Sequence, residues 1–258
     1  MSDVASAPPT KGGFFTELLL AISFLTIIPV IDRWRASEDA VAASFAWFPV
    51  VGCLIGVALA AEDWLLSYAF AQVIRSVLII ISLTVVTGAV HLDGLADTAD
   101  ALGAGRDRER ALNILRDSRV GTFGASAIFF DLTLKILALS TLAGDRRYAA
   151  LLFAPMLARW AMVTVASGLP YLRAQGSGST LLDGKKFGNI AGIISVFTLV
   201  IFWTLGAMRP IAFATAVAIA IVIAMRSFYR RWLGGVTGDL IGACGELVEI
   251  AVLVAMAS

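Results

Sequence analysis

The sequence predicts an all-α protein, a polytopic integral membrane bundle of about seven to eight membrane helices. Of its 258 residues, 59% are hydrophobic and only 15% are charged, whereas an ordinary soluble domain has about 25% charged residues. Apolar segments of about twenty residues, the length that crosses a bilayer, recur along almost the whole chain. No room remains for a separate soluble domain, so we expect a single membrane-embedded domain, 14–258. Residues 1–13 are rich in Ala, Ser, Pro and Gly and are expected to form a disordered lead.

Eight apolar segments are candidate helices. The first is expected to be re-entrant or interfacial rather than a full span, because Glu17 and Pro29 lie within it. The fourth has Asp131 and Lys135 one turn apart, and these two are predicted to pair with each other. In chain order the segments are 14–31, 41–61, 70–90, 121–142, 149–168, 190–207, 211–225 and 240–257.

The polar connections separate into two groups with unequal positive charge. Those at 32–40, 91–120, 170–189 and 226–239 hold thirteen of the twenty Lys and Arg residues. The opposite group, counted with the lead and the start of the third helix, holds five. Positive residues concentrate on the cytoplasmic side, so the first group is predicted to be cytoplasmic. Glu62 and Asp63 are expected in a solvated loop on the other side.

Three carboxylates follow the third apolar segment: Asp93, Asp97 and Asp100. If this stretch is helical, the second and third aspartates lie about 40° and −20° around the axis from the first, so all three face one way. A tight trio of like charges repels itself unless a cation lies among them. His91 is the only histidine; it either has a structural role, capping a helix or bonding a carboxylate, or transfers protons.

A basic segment, Arg106–Arg119, comes next and is predicted to form a short amphipathic helix with Asp107 as its N-cap and Gly121 near its end. One interpretation is an interfacial helix whose arginines face lipid headgroups. The other is that Arg116 and Arg119 hold phosphate oxygens, which suit the planar fork of arginine.

A second acidic group lies near the end of the chain. On a helix, Asp239, Glu246 and Glu249 fall within an arc of about 80°, beside a strip of glycines suited to close helix packing. Carboxylates on one side of the membrane, with arginines near them, predict a divalent cation site, with Mg²⁺ or Mn²⁺ as the natural occupant. Such a site suits phosphoryl chemistry.

Two further cations are weaker candidates for binding a substrate. Arg159 lies within an apolar segment and therefore needs a partner, either a substrate phosphate or one of the acids. Lys185 lies in a predicted cytoplasmic loop, where an ordinary solvated charge is the simpler interpretation. The net charge of +1 gives no indication of nucleic-acid binding.

Three ordered motifs together resemble the cobalamin synthase family, adenosylcobinamide-GDP ribazoletransferase. They are His91-Leu-Asp-Gly-Leu-Ala-Asp-Thr-Ala-Asp100, Arg116-Asp-Ser-Arg-Val-Gly-Thr-Phe-Gly124 and Gly234-Gly-Val-Thr-Gly-Asp-Leu-Ile-Gly-Ala-Cys-Gly-Glu246. The resemblance runs over nearly the whole chain.

The resemblance implies an integral enzyme of the bacterial inner membrane with its active site facing the cytoplasm. It would join adenosylcobinamide-GDP to α-ribazole or its 5′-phosphate and release GMP, with Mg²⁺. Asp93, Asp97 and Asp100 would be metal ligands, one doubling as the base; Asp239 and Glu246 would complete or face the site; Arg116 and Arg119 would hold phosphates. A homo-oligomer or a complex with other cobalamin-pathway enzymes is compatible with this picture.

Two alternatives remain at this level. One is a CDP-alcohol phosphotransferase of the phospholipid type, although the spacing D-x2-D-G-x2-A-R of that class is absent from the acidic motif. The other is an ion-coupled transporter, which predicts acids near the middle of the membrane and inverted repeats. The acids instead cluster at one interface beside arginines, which favours phosphate chemistry.

Overall fold

The all-α class is confirmed by a computed structural model, which describes residues 13–31, 36–117, 119–172 and 208–258. The described residues include no β-strand; Tyr171 and Val236 form an isolated β-bridge. Residues 1–12 of the predicted lead and the whole of the predicted helix 190–207 lie outside the described residues.

Ten α-helices and one 3₁₀ turn, Phe45–Trp47, lie in the described part of the chain. The helices are α1 (Phe14–Leu25), α2 (Glu38–Ser44), α3 (Phe48–Leu66), α4 (Gln72–Val86), α5 (Val90–Leu102), α6 (Arg108–Ile114), α7 (Thr122–Thr141), α8 (Gly144–Ala166), α9 (Met208–Trp232) and α10 (Gly238–Ala257).

The described helices supply five or six candidate membrane spans. Five are long and apolar enough to cross a membrane: α2 with α3, then α7, α8, α9 and α10. Helices α4 and α5 add a sixth only if they count as one span, because they meet at a bend of 88° where Gly88 and Ala89 take left-handed backbone angles. Helix α1 has 12 residues, too few for a full span. The predicted count of seven to eight is therefore not confirmed, whereas the integral membrane class is supported.

Helix α8 is the buried centre of the bundle, and α3 packs closely against it. Gly52 and Gly56 lie one turn apart on α3; a β-carbon on either would come within 2.5–2.7 Å of the carbonyl oxygens of Pro155 and Leu151. Pro155 has no N–H, so it leaves the Leu151 carbonyl without its usual helical partner. Small residues at this spacing let two membrane helices approach closely.

The two groups of polar connections are each tied together by long-range contacts. In the group predicted to be cytoplasmic, the Arg108 side chain donates to the carbonyl of Leu233 (2.9 Å), and the Trp232 indole donates to the carbonyl of Gly105 (3.0 Å). At the other end, the Gln72 amide donates to the carbonyl of Leu142 (2.8 Å). The connections 91–120 and 226–239, which charge counting placed in one group, are thus neighbours in space in their described residues.

The expectation of a solvated loop at Asp63 is wrong. This carboxylate is fully buried and accepts two hydrogen bonds from Arg147 (2.6 and 2.9 Å) and one from Arg75 (3.0 Å). Arg147 also donates to Ser76 and to the carbonyl of Leu139. Asp63 can be buried because Arg75 of α4 and Arg147 of α8 neutralise its charge. Both arginines lie on later helices, so the residues next to Asp63 in the chain gave no sign of this pairing.

Candidate active site

Asp93, Asp97 and Asp100 all lie on one continuous α-helix, α5. Their spacing therefore places them on one face of this helix. Asp93 is exposed, and Asp97 and Asp100 are half-buried. Leu92 and Leu95 on the same helix are buried. The helix therefore turns its apolar residues inward and presents a carboxylate-bearing edge.

The third motif packs directly onto this helix. A β-carbon on Gly94 would lie 2.8 Å from the carbonyl oxygen and 2.9 Å from the Cα of Asp239. Gly94 lies between Asp93 and Asp97 in the sequence, so α10 begins beside the helical turn that carries both acids. Farther along α10, a β-carbon on Gly242 would lie 3.2 Å from the Cα of His91.

The second motif meets the other end of the acidic helix. The Asp100 carboxylate accepts hydrogen bonds from the backbone N–H groups of Gly121 (2.7 Å) and Gly124 (2.9 Å), at the start of α7. All three motifs therefore converge on α5, although 155 positions of sequence separate His91, at the start of the first motif, from Glu246, at the end of the third.

The basic segment forms the predicted short helix, α6. Asp107 is its N-cap, as predicted, and accepts a hydrogen bond from the backbone N–H of Arg110 (3.0 Å). Gly121 is the N-cap of the next helix, α7, rather than part of the end of α6. Arg116 and Arg119 lie between the two helices and are exposed.

Arg119 is held by a neighbouring acid. Its guanidinium lies 2.7 Å from a carboxylate oxygen of Asp117, and a second hydrogen bond joins Arg119 Nε to the same group (3.0 Å). Hydrogen bonding from Arg119 lowers the pKa of the Asp117 carboxyl below its ordinary value. A substrate phosphate would have to compete with Asp117 for this arginine.

A cluster of buried charges lies deeper in the bundle. Lys135 of α7 lies 3.0 Å from Asp131 and 3.0 Å from Glu249, and it also donates a hydrogen bond to Glu246. The predicted pairing of Asp131 with Lys135 is confirmed. Arg159 of α8 contacts the other oxygen of Glu249 (2.5 Å). We call these five residues the ion cluster.

The ion cluster includes Glu246, which the family resemblance placed at the acidic site, and Arg159, a weaker candidate for binding substrate. Glu246 contacts Lys135, and of the two partners considered for Arg159 the structure supplies an acid, Glu249. His91 is buried and so does not lie on the exposed acidic edge of α5. The adjoining cavity, about 10 Å³, has room for about one water molecule and none for a substrate phosphate.

The remaining candidate donors suit a metal that is bound together with substrate. Among the described residues, no three His, Cys, Asp or Glu side chains form a group that could hold a metal ion by themselves. Mg²⁺, however, is usually bound by one or two carboxylates plus substrate phosphates and waters. Asp93 and Asp97, one turn apart beside the start of α10, fit that requirement. Lys185 lies outside the described residues.

Comparison with known proteins identifies the family. The family model for cobalamin-5-phosphate synthase matches residues 17–257. The chain belongs to the cobalamin-5-phosphate synthase family. All three motifs around α5 lie inside the matched range.

Individual relatives agree with this assignment. Proteins named adenosylcobinamide-GDP ribazoletransferase from Geotalea daltonii and Roseiflexus sp. are each 38% identical to the chain. The first alignment covers 92% of this chain and 95% of the relative, and the second covers 96% and 91%. A protein of the same name from Sinorhizobium medicae is 38% identical over 257 residues, with 95% and 97% covered. No solved structure matches the chain significantly.

Membership of the cobalamin-5-phosphate synthase family makes the chain an enzyme, a transferase of cobalamin biosynthesis. The two alternatives, a phospholipid-type phosphotransferase and an ion-coupled transporter, are set aside accordingly. The sequence did not reveal the contacts of Asp100 with Gly121 and Gly124. One feature of the sequence could have indicated them. Gly121 at the start of α7 has no side chain to cap the helix, so the cap has to come from another residue.

Proposed function

We propose that the protein transfers the adenosylcobinamide-phosphate group from adenosylcobinamide-GDP to α-ribazole or α-ribazole 5′-phosphate, releasing GMP in an Mg²⁺-dependent reaction. The observation that carries this proposal is the contact of Gly94 with Asp239, which sets the third motif beside Asp93 and Asp97. The name shared by the relatives supplies the donor and the acceptor group.

The proposed reaction is a displacement at phosphorus. A hydroxyl of α-ribazole forms a new oxygen–phosphorus bond, the diphosphate bond breaks, and GMP leaves with the bridging oxygen. Asp93 or Asp97 accepts the hydroxyl proton, and the exposed guanidinium groups of Arg116 and Arg119 bind phosphate oxygens. Mg²⁺, when bound by these aspartates and the diphosphate, would neutralise the negative charge that develops on phosphate.

The proposed location is the bacterial inner membrane, with the acidic edge of α5 facing the cytoplasm. Thirteen of the twenty Lys and Arg residues lie in the connections grouped with α5 and α6, which supports this orientation. Nucleotide substrates are available on that side.

The test uses the purified protein in detergent or lipid with adenosylcobinamide-GDP, α-ribazole 5′-phosphate and Mg²⁺. We expect GMP release that EDTA abolishes and Mg²⁺ restores. Asp93→Asn and Asp97→Asn should each abolish turnover while leaving membrane insertion intact. Asp145→Asn, an exposed aspartate in the first turn of α8, is the matched control and should keep full activity. Absence of GMP release by the wild-type protein would overturn the proposed function.

A further inference from the structure

Asp100 makes contacts of a different kind from those expected of a metal ligand. Each of its two carboxylate oxygens accepts a backbone N–H at the start of α7: Oδ2 from Gly121 and Oδ1 from Gly124. The first N–H groups of a helix have no partner within the helix, and a carboxylate is well suited to satisfy them. Asp100 therefore caps a helix whose N-cap residue, Gly121, lies 21 residues later in the chain.

The two glycines make room for this carboxylate. A β-carbon on Gly121 would lie 2.5 Å from Asp100 Oδ1, and a β-carbon on Gly124 would collide with Asp100 Oδ2. Gly121 takes an extended backbone angle (φ −90°), which any residue can adopt, so the restriction comes from space and not from backbone strain. The first and second motifs thus fit together as a carboxylate in a socket of two glycines.

On the basis of the proposed function, we propose that Asp100 is a positioning residue and that Asp93 and Asp97 are the metal-binding members of the trio. The chain runs from Arg116 and Arg119 directly into Gly121, so the Asp100 contact sets where the phosphate-binding arginines stand relative to the acidic edge of α5. Both carboxylate oxygens of Asp100 already hold N–H groups, whereas Asp93 is exposed.

Two substitutions at Asp100 separate the two roles. Asparagine keeps the size, and its one carbonyl oxygen can keep one of the two N–H contacts, but its amide group cannot accept the other and is a poor ligand for Mg²⁺. Glutamate keeps the charge, but it is too long for the glycine socket. A positioning role predicts that Asp100→Asn retains more activity than Asp100→Glu. It also predicts that Asp100→Asn raises the KM for adenosylcobinamide-GDP, on the order of tenfold at most, with no change in the Mg²⁺ concentration that gives half-maximal activity. Asp93→Asn should change that Mg²⁺ requirement.

A double-mutant cycle supplies the second test. Gly121→Ala should raise the KM and lower the unfolding temperature as Asp100→Asn does. The double variant should be no worse than the worse single variant, because each change weakens the same contact between Asp100 and the start of α7. Gly13→Ala, at an exposed glycine with nothing within 4 Å, is the control and should match wild type.

Additive effects in the cycle, greater activity of Asp100→Glu than of Asp100→Asn, or a higher Mg²⁺ requirement of Asp100→Asn would each overturn the proposal. Absence of GMP release by the wild-type protein would instead be a failure of the proposed function. In that case, the cycle measured by unfolding temperature still tests the contact between Asp100 and Gly121.

Discussion

Arg159 of α8 and Glu249 of α10 lie 2.5 Å apart, both about 98% buried, and this ion pair joins residues 90 positions apart in the chain. Glu249 reaches Lys135 of α7 with its other oxygen (3.0 Å), so one carboxylate connects three helices. An isolated charge is expensive inside a membrane protein, and pairing reduces that cost. The cluster therefore determines which helices must neighbour one another.

Removal of one partner should be far more costly than removal of both. Arg159→Met leaves Glu249 short of a cation, and we expect the free energy of unfolding to fall by about 3–5 kcal/mol. Arg159→Met combined with Glu249→Gln should recover part of that loss. Thermal unfolding in detergent measures both variants, and Arg146→Met, at an exposed arginine on the same helix, serves as the control. A single variant as stable as wild type would contradict the prediction.

Lys135 should be the most sensitive member of the ion cluster. Lys135→Met leaves Asp131, Glu246 and Glu249 with Arg159 as the one remaining cation of the cluster, so we expect little folded protein in the membrane fraction. Adding Glu246→Gln to Lys135→Met reduces the excess negative charge and should raise the yield. The measurements are the yield of folded protein in the membrane fraction and its unfolding temperature. Equal yields of the single and double variants would show that excess negative charge is not the cause of the loss of folded protein.

The buried Asp63 should affect stability and not catalysis. Asp63→Asn weakens the contacts with Arg147 and Arg75, so the unfolding temperature should fall by several degrees. The residue belongs to the end of the bundle opposite α6 and the start of α10, so the kcat and KM of folded protein should stay at wild-type values. A change in KM without a change in unfolding temperature would contradict this assignment.

Gly94→Ala should lower kcat. Its β-carbon would lie 2.8 Å from the Asp239 carbonyl oxygen, so the start of α10 must move away from Asp93 and Asp97. A displacement of about 1 Å can reduce turnover on the order of a hundredfold. Gly238→Ala is the matched control, because its β-carbon would meet nothing closer than the Tyr171 hydroxyl at 3.8 Å. Equal kcat values for the two variants would show that the close contact of Gly94 with Asp239 is not needed for turnover.

Asp117→Asn should strengthen substrate binding. The carboxylate that now holds Arg119 would be neutral, which leaves the guanidinium free for a phosphate, so we expect the KM for adenosylcobinamide-GDP to fall a few-fold. Arg119→Gln should raise the same KM. Because the pKa of Asp117 is lowered, the carboxylate keeps its charge as the pH falls to the ordinary range of aspartate, and protonation below that range should release Arg119. A higher KM for Asp117→Asn would show that Asp117 instead orients the arginine.

Much of the local structure could be predicted from residue order. The spacing of Asp93, Asp97 and Asp100 predicted a shared acidic edge on condition that the stretch is helical, a condition that α5 meets. Asp107 predicted a helix start, and the separation of Asp131 from Lys135 predicted their pairing. Each of these depends on residues within about two helical turns of one another, where helix geometry alone decides which side chains share a face.

The sequence by itself determined the all-α membrane class, the family and the grouping of its polar connections, because hydrophobicity, motif order and charge counts need no knowledge of how helices pack. Only the tertiary structure decided which partner each of three carboxylates takes: Arg147 for Asp63, Lys135 for Glu246, and the α7 backbone for Asp100. Contacts across 84 and 111 residues depend on which helices become neighbours. That choice follows from close packing at glycines such as Gly52 and Gly94, where a missing β-carbon lets two backbones touch.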